Sequence, residues 1–207
     1  MSDRTLVVIS GGLRHPSSTR LLADQLTSAT VSELAARDVT VRTHVVDLRE
    51  HAQDITNNLV TGFAAPDLQD VLDSLLGAHG VIAVSPIFNA SYSGLFKSFF
   101  DVLPEGALLE KPVLIGATGG TARHSLTLEY ALRPLFAYLR ALVVPTGVYA
   151  SAEDWALHDA AEGDTTLRNR IERAARELAT EMRQYQPPAR KDPFALETSF
   201  QDLLAQQ

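Results

Sequence analysis

"GVIAVSPIFNASYSG" (80–94) is the stretch on which the fold turns. Val81 to Val84 form an unbroken apolar run with no polar face, the pattern of a strand covered on both sides. The chain then leaves through Pro86, Asn89 and Gly94 and plunges into "LFKSFFDVL" (95–103), an apolar helical pattern. A core strand that opens into a mouth of Pro, Asn and Gly predicts a parallel strand with a ligand site at its carboxyl end.

Four further runs share this character: "TLVVIS" (5–10), "VTVRTHVVD" (39–47), "PVLIGA" (112–117) and "ALVVPTGVYA" (141–150). Helical patterns alternate with them at 18–38, 66–80, 93–103 and 125–141. The first follows Ser and Thr at capping positions, and the last is expected to kink at Pro134. Strands alternating with helices give right-handed βαβ units. The prediction is a flavodoxin-like, doubly wound α/β sandwich with a five-stranded parallel sheet in the order 2-1-3-4-5. A charged helix at 165–185 closes one domain, residues 1–186. "QPPARKDP" then breaks the pattern, and 187–207 is read as a C-terminal tail with a short amphipathic stretch.

The 207 residues carry a net charge of −7, which disfavours nucleic acid and anionic lipid as partners. There is no cysteine, which excludes disulfides, thiolate nucleophiles and Cys-ligated metal centres. The six histidines show no paired metal-ligand spacing, and no G-x-S-x-G elbow marks a serine hydrolase. No apolar run approaches the ~20 residues of a membrane helix, and "MSDRTLVVIS" lacks the build of a signal peptide. A cytoplasmic protein is expected.

With strand order 2-1-3-4-5, the exits of the first and third strands flank the crevice where such sheets bind ligands. The first exit, "SGGLRHPSST" (10–19), reads as a phosphate cradle. Gly11 and Gly12 permit close backbone approach, the following helix offers free N–H groups, Ser17, Ser18 and Thr19 add hydroxyls, and Arg14 adds charge. It is neither a Walker loop nor G-x-G-x-x-G, and an ordinary capped βα turn is the competing reading. The third exit suits a flat ring: Phe88 and the Ala90–Ser91 backbone border a face, Pro86 stiffens the turn, and Asn89 offers hydrogen bonds. "ATGG" (117–120) adds a third glycine-rich exit. A phosphate site beside a ring site describes a mononucleotide, with FMN as the candidate.

Three stretches carry a family resemblance. "GGLRHPSSTRLL" resembles the phosphate loop of NAD(P)H-dependent FMN reductases, and "SPIFNASYSGLFKSFFDVLP" resembles their segment around the isoalloxazine. "KPVLIGATGGTARHSLTLEYALRPLFAYL" is similar to the matching stretch of alkanesulfonate-type two-component reductases. The resemblance implies hydride transfer from NADPH or NADH to FMN, with reduced flavin passing to a luciferase-like monooxygenase. It also implies a homodimer or homotetramer paired through the 93–103 and 125–141 helices.

By the same resemblance, Arg14, Ser17 and Thr19 hold the phosphate, with Ser10, Gly12, Leu13 and Ser18 around them. Pro86, Ile87, Phe88, Asn89, Ala90 and Ser91 line one side of the ring, and Thr118, Gly119 and Gly120 another. No catalytic acid or base is assigned. Gly12 stands where the family usually has a phosphate-binding Ser, with Ser10 a candidate substitute, and Phe88 replaces the usual Tyr. The competing functions are a quinone or azo-dye reductase with tightly bound FMN and a flavodoxin-type electron carrier.

Overall fold

A computed structural model of the chain describes residues 2–156 and 166–188. In chain order, β1 (Ser2–Ser10), α1 (Ser18–Ala35) and β2 (Val39–Asp47) are followed by a 3-10 turn (Leu48–His51), α2 (Ala52–Thr61) and α3 (Pro66–Leu76). Next come β3 (Gly80–Phe88), β4 (Ser91–Tyr92), α4 (Gly94–Asp101) and β5 (Pro112–Gly119). A 3-10 turn (Ala122–His124) and a π-helical turn (Leu128–Leu132) lead into α5 (Arg133–Tyr138). β6 (Leu142–Val143), β7 (Val148–Ser151), α6 (Ala152–Ala156) and α7 (Leu167–Gln184) complete the order.

The sheet path β2-β1-β3-β5-β6 reproduces the predicted order, with every pairing along it parallel. Two details differ from five simple strands. The fifth predicted strand splits into β6 and β7, each pairing with β5, because "PTG" (145–147) interrupts it. β3 also runs on to Phe88 and folds back antiparallel as β4, making seven strands among the described residues.

Alternation along each central strand feeds two cores. Val7 and Ile9 of β1, with Val81 and Ala83 of β3, face the layer of α3, α4 and α5. Leu6, Val8, Ile82 and Val84 face α1 and α7. The charged pattern of α7 is confined to one side, and Ile171, Ala174, Leu178 and Met182 are buried. In α4, Phe96, Phe99 and Phe100 turn inward, and Phe136 of α5 meets the Phe96 and Phe100 rings at 6.4 and 4.9 Å.

α4 keeps its aromatic residues inside the chain, and exposed large apolar side chains are found on 126–142, at Leu126, Tyr130, Tyr138 and Leu142. The 125–141 segment is irregular where Pro134 is expected to disturb it: a π turn at 128–132 runs directly into α5, and Pro134, in the first turn of α5, has no N–H to offer the turn before it.

Candidate functional site

Register brings the three exits to one edge. Ser10 pairs with Val84 and Asp47, Pro86 with Thr118, and Gly119 with Ser151. The loop after β1 is anchored by Gly11 N–H donating to Val84 O at 2.8 Å. That N–H is therefore committed to the fold. Donors remain at the start of α1, where Ser18 and Thr19 lie in the first turn and their N–H groups have no intrahelical partner. No acid occupies that turn, so the helix dipole faces outward unopposed.

Ser17 is the N-cap of α1. Its Oγ accepts from Arg20 N–H at 3.2 Å, which leaves its own proton free to donate. Gly12 makes room for it, because a Cβ there would collide with Ser17 Oγ and press on Thr19 Cβ at 3.3 Å. Ser10 is fully buried beneath the loop, and its Oγ has no hydrogen-bond partner. Leu13, Arg14 and Ser18 are exposed.

Thr19 is buried and its Oγ1 shares a 2.8 Å hydrogen bond with Thr118 Oγ1. This bond spans the sheet edge from the phosphate-type loop to the exit of β5. Nothing local in either segment signals it.

The stretch from Ser85 to Ser93 is a hairpin rather than an irregular mouth. Ile87 pairs with Tyr92 and Phe88 with Ser91, across a two-residue turn at Asn89 and Ala90 with φ of +48° and +66°. Two positive φ values make the primed turn that suits the strand twist, although Ala is an unfavourable occupant there. The base is stapled by Ser85 Oγ, which donates to Pro86 O at 2.9 Å and accepts from Ser93 N–H at 3.0 Å. Ser93 Oγ in turn caps α4 by accepting from Phe96 N–H. Phe88, at the tip, is 45% exposed, so this aromatic is offered to the surface rather than spent in the core.

At the third exit, Gly119 has no room for a side chain. Its Cβ would overlap Tyr149 Oη, which donates to Thr121 O at 2.7 Å. Burial pushes the Tyr149 phenol up, with help from nearby Asp154. Gly120 faces open space. Ser85, Ser93 and Tyr149 do not stand out in the sequence as site residues. Ser93 before "GLF" is a cap signal, whereas Tyr149 is brought in by β7 alone.

The acids at this edge are paired with arginines, Asp154 beside Ser151 with Arg170 at 2.5 Å. Asp47, at the end of β2, is held by Arg20 Nη1 at 2.5 Å, and Arg20 also pairs with Asp24 at 2.8 Å. The Asp24 hydrogen bond, outweighing desolvation, raises the Arg20 guanidinium further, so the group stays charged. His124 lies in the exposed turn after β5. His79 is structural: its Nδ1 accepts from Thr5 N–H at 3.1 Å, and burial lowers its basicity.

The residues present fit a flavin mononucleotide. A loop bare of side chains at Gly12, an outward dipole end, a free Ser17 proton, an exposed aromatic at 88 and open space at Gly120 lie along one edge. A family model described as NADPH-dependent FMN reductase matches residues 4–156. The chain belongs to that family. Its family makes it an NAD(P)H:FMN oxidoreductase, with FMN and a nicotinamide as the small molecules it handles.

An FMN reductase (NADPH) of Pseudomonas aeruginosa is 39% identical over 150 residues, 72% of this chain and 78% of that one. An NADH-dependent FMN reductase, SfnF, of Pseudomonas putida is 39% identical over 157 residues, 76% and 82% of the two chains. A solved oxidoreductase from Corynebacterium diphtheriae superposes with a TM-score of 0.83 at 41% identity, covering 90% of this chain and all of that one. A WrbA-like flavodoxin from Agrobacterium tumefaciens, at 19% identity and TM-score 0.56, shares the fold.

Proposed function

We propose that this FMN reductase holds FMN across the three exits, reduces it with NADPH or NADH, and releases it to a separate luciferase-like monooxygenase. The observation that carries this reading is the Thr19–Thr118 bond, which locks the phosphate-type loop to the ring-type loop at one spacing. Arg14, Ser17 and the Ser18 and Thr19 N–H groups would hold the phosphate, with Gly12 and Leu13 shaping the loop. Ser10 would act from beneath it. Pro86, Ile87, Phe88, Asn89, Ala90 and Ser91 would border one side of the ring, and Thr118, Gly119 and Gly120 the other.

FMN, when bound, supplies the ring that accepts hydride from the nicotinamide. The protein's part is orientation, and no side chain is required to titrate. The hairpin keeps Phe88 at the rim, the Gly119–Gly120 backbone gives close approach, and the dipole end of α1 fixes the phosphate.

The monooxygenase reading rests on the resemblance to two-component reductases. The two relatives above are named for different nicotinamides, and both are carried here as substrates. We place the protein in the cytoplasm, where nicotinamide nucleotides are held. Among the described residues, no helix is long and apolar enough to cross a membrane. The exposed residues of 126–142 support a homodimer or homotetramer, and we keep 1–186 as one domain. Nearly all of the 187–207 tail lies outside the described residues.

The test is steady-state oxidation of NADPH and of NADH during titration with free FMN. A rate that rises and saturates with FMN supports a reductase that releases its product. A rate independent of added FMN contradicts it and favours a tightly held flavin or an electron carrier.

A further inference from the structure

The loop after β1 does not stand alone at its rim. β2 pairs with β1 through Ser10–Asp47, so the 3-10 turn at Leu48–His51 emerges beside that loop. Two side-chain pairs join them. Arg20 Nη1 binds Asp47, and Arg49 Nη2 meets His15 Nε2. In the second the guanidinium can only donate, so the His15 ring nitrogen is the accepting side of the contact.

Three arginines and three acids meet at this rim, and their pairing is uneven: Arg20 alone takes both Asp47 and Asp24. Asp47, the carboxylate nearest the loop, is already neutralised by Arg20. The acid beside Arg49 is Glu50 at 3.9 Å, 63% exposed, a spacing and exposure at which an ion pair is worth little. Arg14 is exposed and makes no ion pair among the described residues. Arg14 and Arg49, neither held in a close ion pair, thus belong to the segments that meet beside the acid-free start of α1. Loosely held guanidinium groups near a helix dipole's positive end suit a dianion.

The cradle also has fewer hydroxyls than its sequence suggests, because Gly12 has none and the Thr19 hydroxyl is shared with Thr118. We infer that Arg49, steered by His15, is a second cation for the 5′-phosphate of FMN, supplied by the exit of β2. The inference rests on the flavin reading above and adds to it a binding residue from another strand. The guanidinium fork suits a phosphomonoester better than a point charge does.

The experiment measures dissociation constants of FMN and riboflavin by flavin fluorescence for the intact protein, R49Q and R49K, together with KM for NADPH and NADH. Removing one charge-assisted hydrogen bond should weaken FMN about tenfold in R49Q while riboflavin changes less than about twofold. R49K, which keeps the charge without the fork, should recover part of that affinity. It also guards against misfolding in R49Q. Unchanged FMN affinity in R49Q overturns the inference, as does equal weakening of both flavins. A raised KM for NADPH with unchanged FMN affinity overturns it too, since the cation would then read the nicotinamide nucleotide. If the unmutated protein itself binds FMN no better than riboflavin, the parent reading fails first, and that result is visible without any variant.

Discussion

Gly119→Ala tests the exit of β5 directly. A Cβ there overlaps Tyr149 Oη and comes within 3.2 Å of Tyr149 Cζ. Tyr149 is buried and its phenol is tied to Thr121 O at 2.7 Å, so the ring can yield only by breaking that bond or by displacing residues 118–121. Breaking the hydrogen bond costs about 1 kcal/mol and overpacking a further ~1–3 kcal/mol, giving roughly 2–4 kcal/mol in all. Tyr149→Phe alone should cost about 1 kcal/mol. In the double variant the offending oxygen is gone and only the tighter carbon approach remains. The two costs should therefore fall short of additivity by ~1–2 kcal/mol. Urea denaturation of the four proteins measures this, with FMN titration reporting on the loop. A Gly119→Ala protein within about 0.5 kcal/mol of the parent would refute the reasoning, and so would strict additivity in the cycle.

Other expectations concern the opposite end of the sheet and the surface. Lys111 is fully buried, donates to Leu75 O at 2.5 Å and Leu76 O at 2.8 Å, and burial lowers its pKa to about 8. With the folded value below the unfolded one, the folded state binds fewer protons between the two, so stability rises with pH from about 8 towards 10.5. Relative to Lys111→Met, the parent should gain roughly 1.5–2 kcal/mol between about pH 8 and 9.5 in pH-stepped urea melts, and a flat difference would contradict this. Tyr138 and Tyr130 are 86% and 79% exposed beside Leu126 and Leu142. Light scattering at micromolar concentration should show an oligomer that Tyr138→Asp weakens, whereas a monomeric parent would remove the proposed interface.

Much of the fold was legible because its strands are unbroken apolar runs and α1 and α3 open on recognisable starts, Ser17 and Pro66. α2 was not. "AQDITNNLVT" has poor helix formers and a narrow apolar stripe at Ala52, Ile55 and Leu59, of which only Ile55 is fully buried, and its clearest sign is Gly62, which ends it at φ +78°. The hairpin was hidden because Asn-Ala occupies a turn that usually shows Gly, at Ala90 of all places. The split of the last strand could be read from "PTG". At the site, the residue types were readable but their commitments were not. That Thr19 bonds Thr118, that Gly11 N–H serves Val84, and that Tyr149 shapes Gly119 are facts of tertiary packing. Arg49 escapes notice in the sequence for the same reason, since only strand pairing brings it to His15.

The central claim is that a phosphate-bearing flavin sits where the exits of β1, β3 and β5 converge. Its most direct measurement is a calorimetric titration of the protein with FMN and with riboflavin under one set of conditions. The two ligands share a ring and differ in the phosphate that Ser17, Arg14 and the start of α1 would hold. The account predicts FMN binding tighter by tenfold or more, as the removal of one or more charge-assisted hydrogen bonds requires. Equal dissociation constants would contradict it.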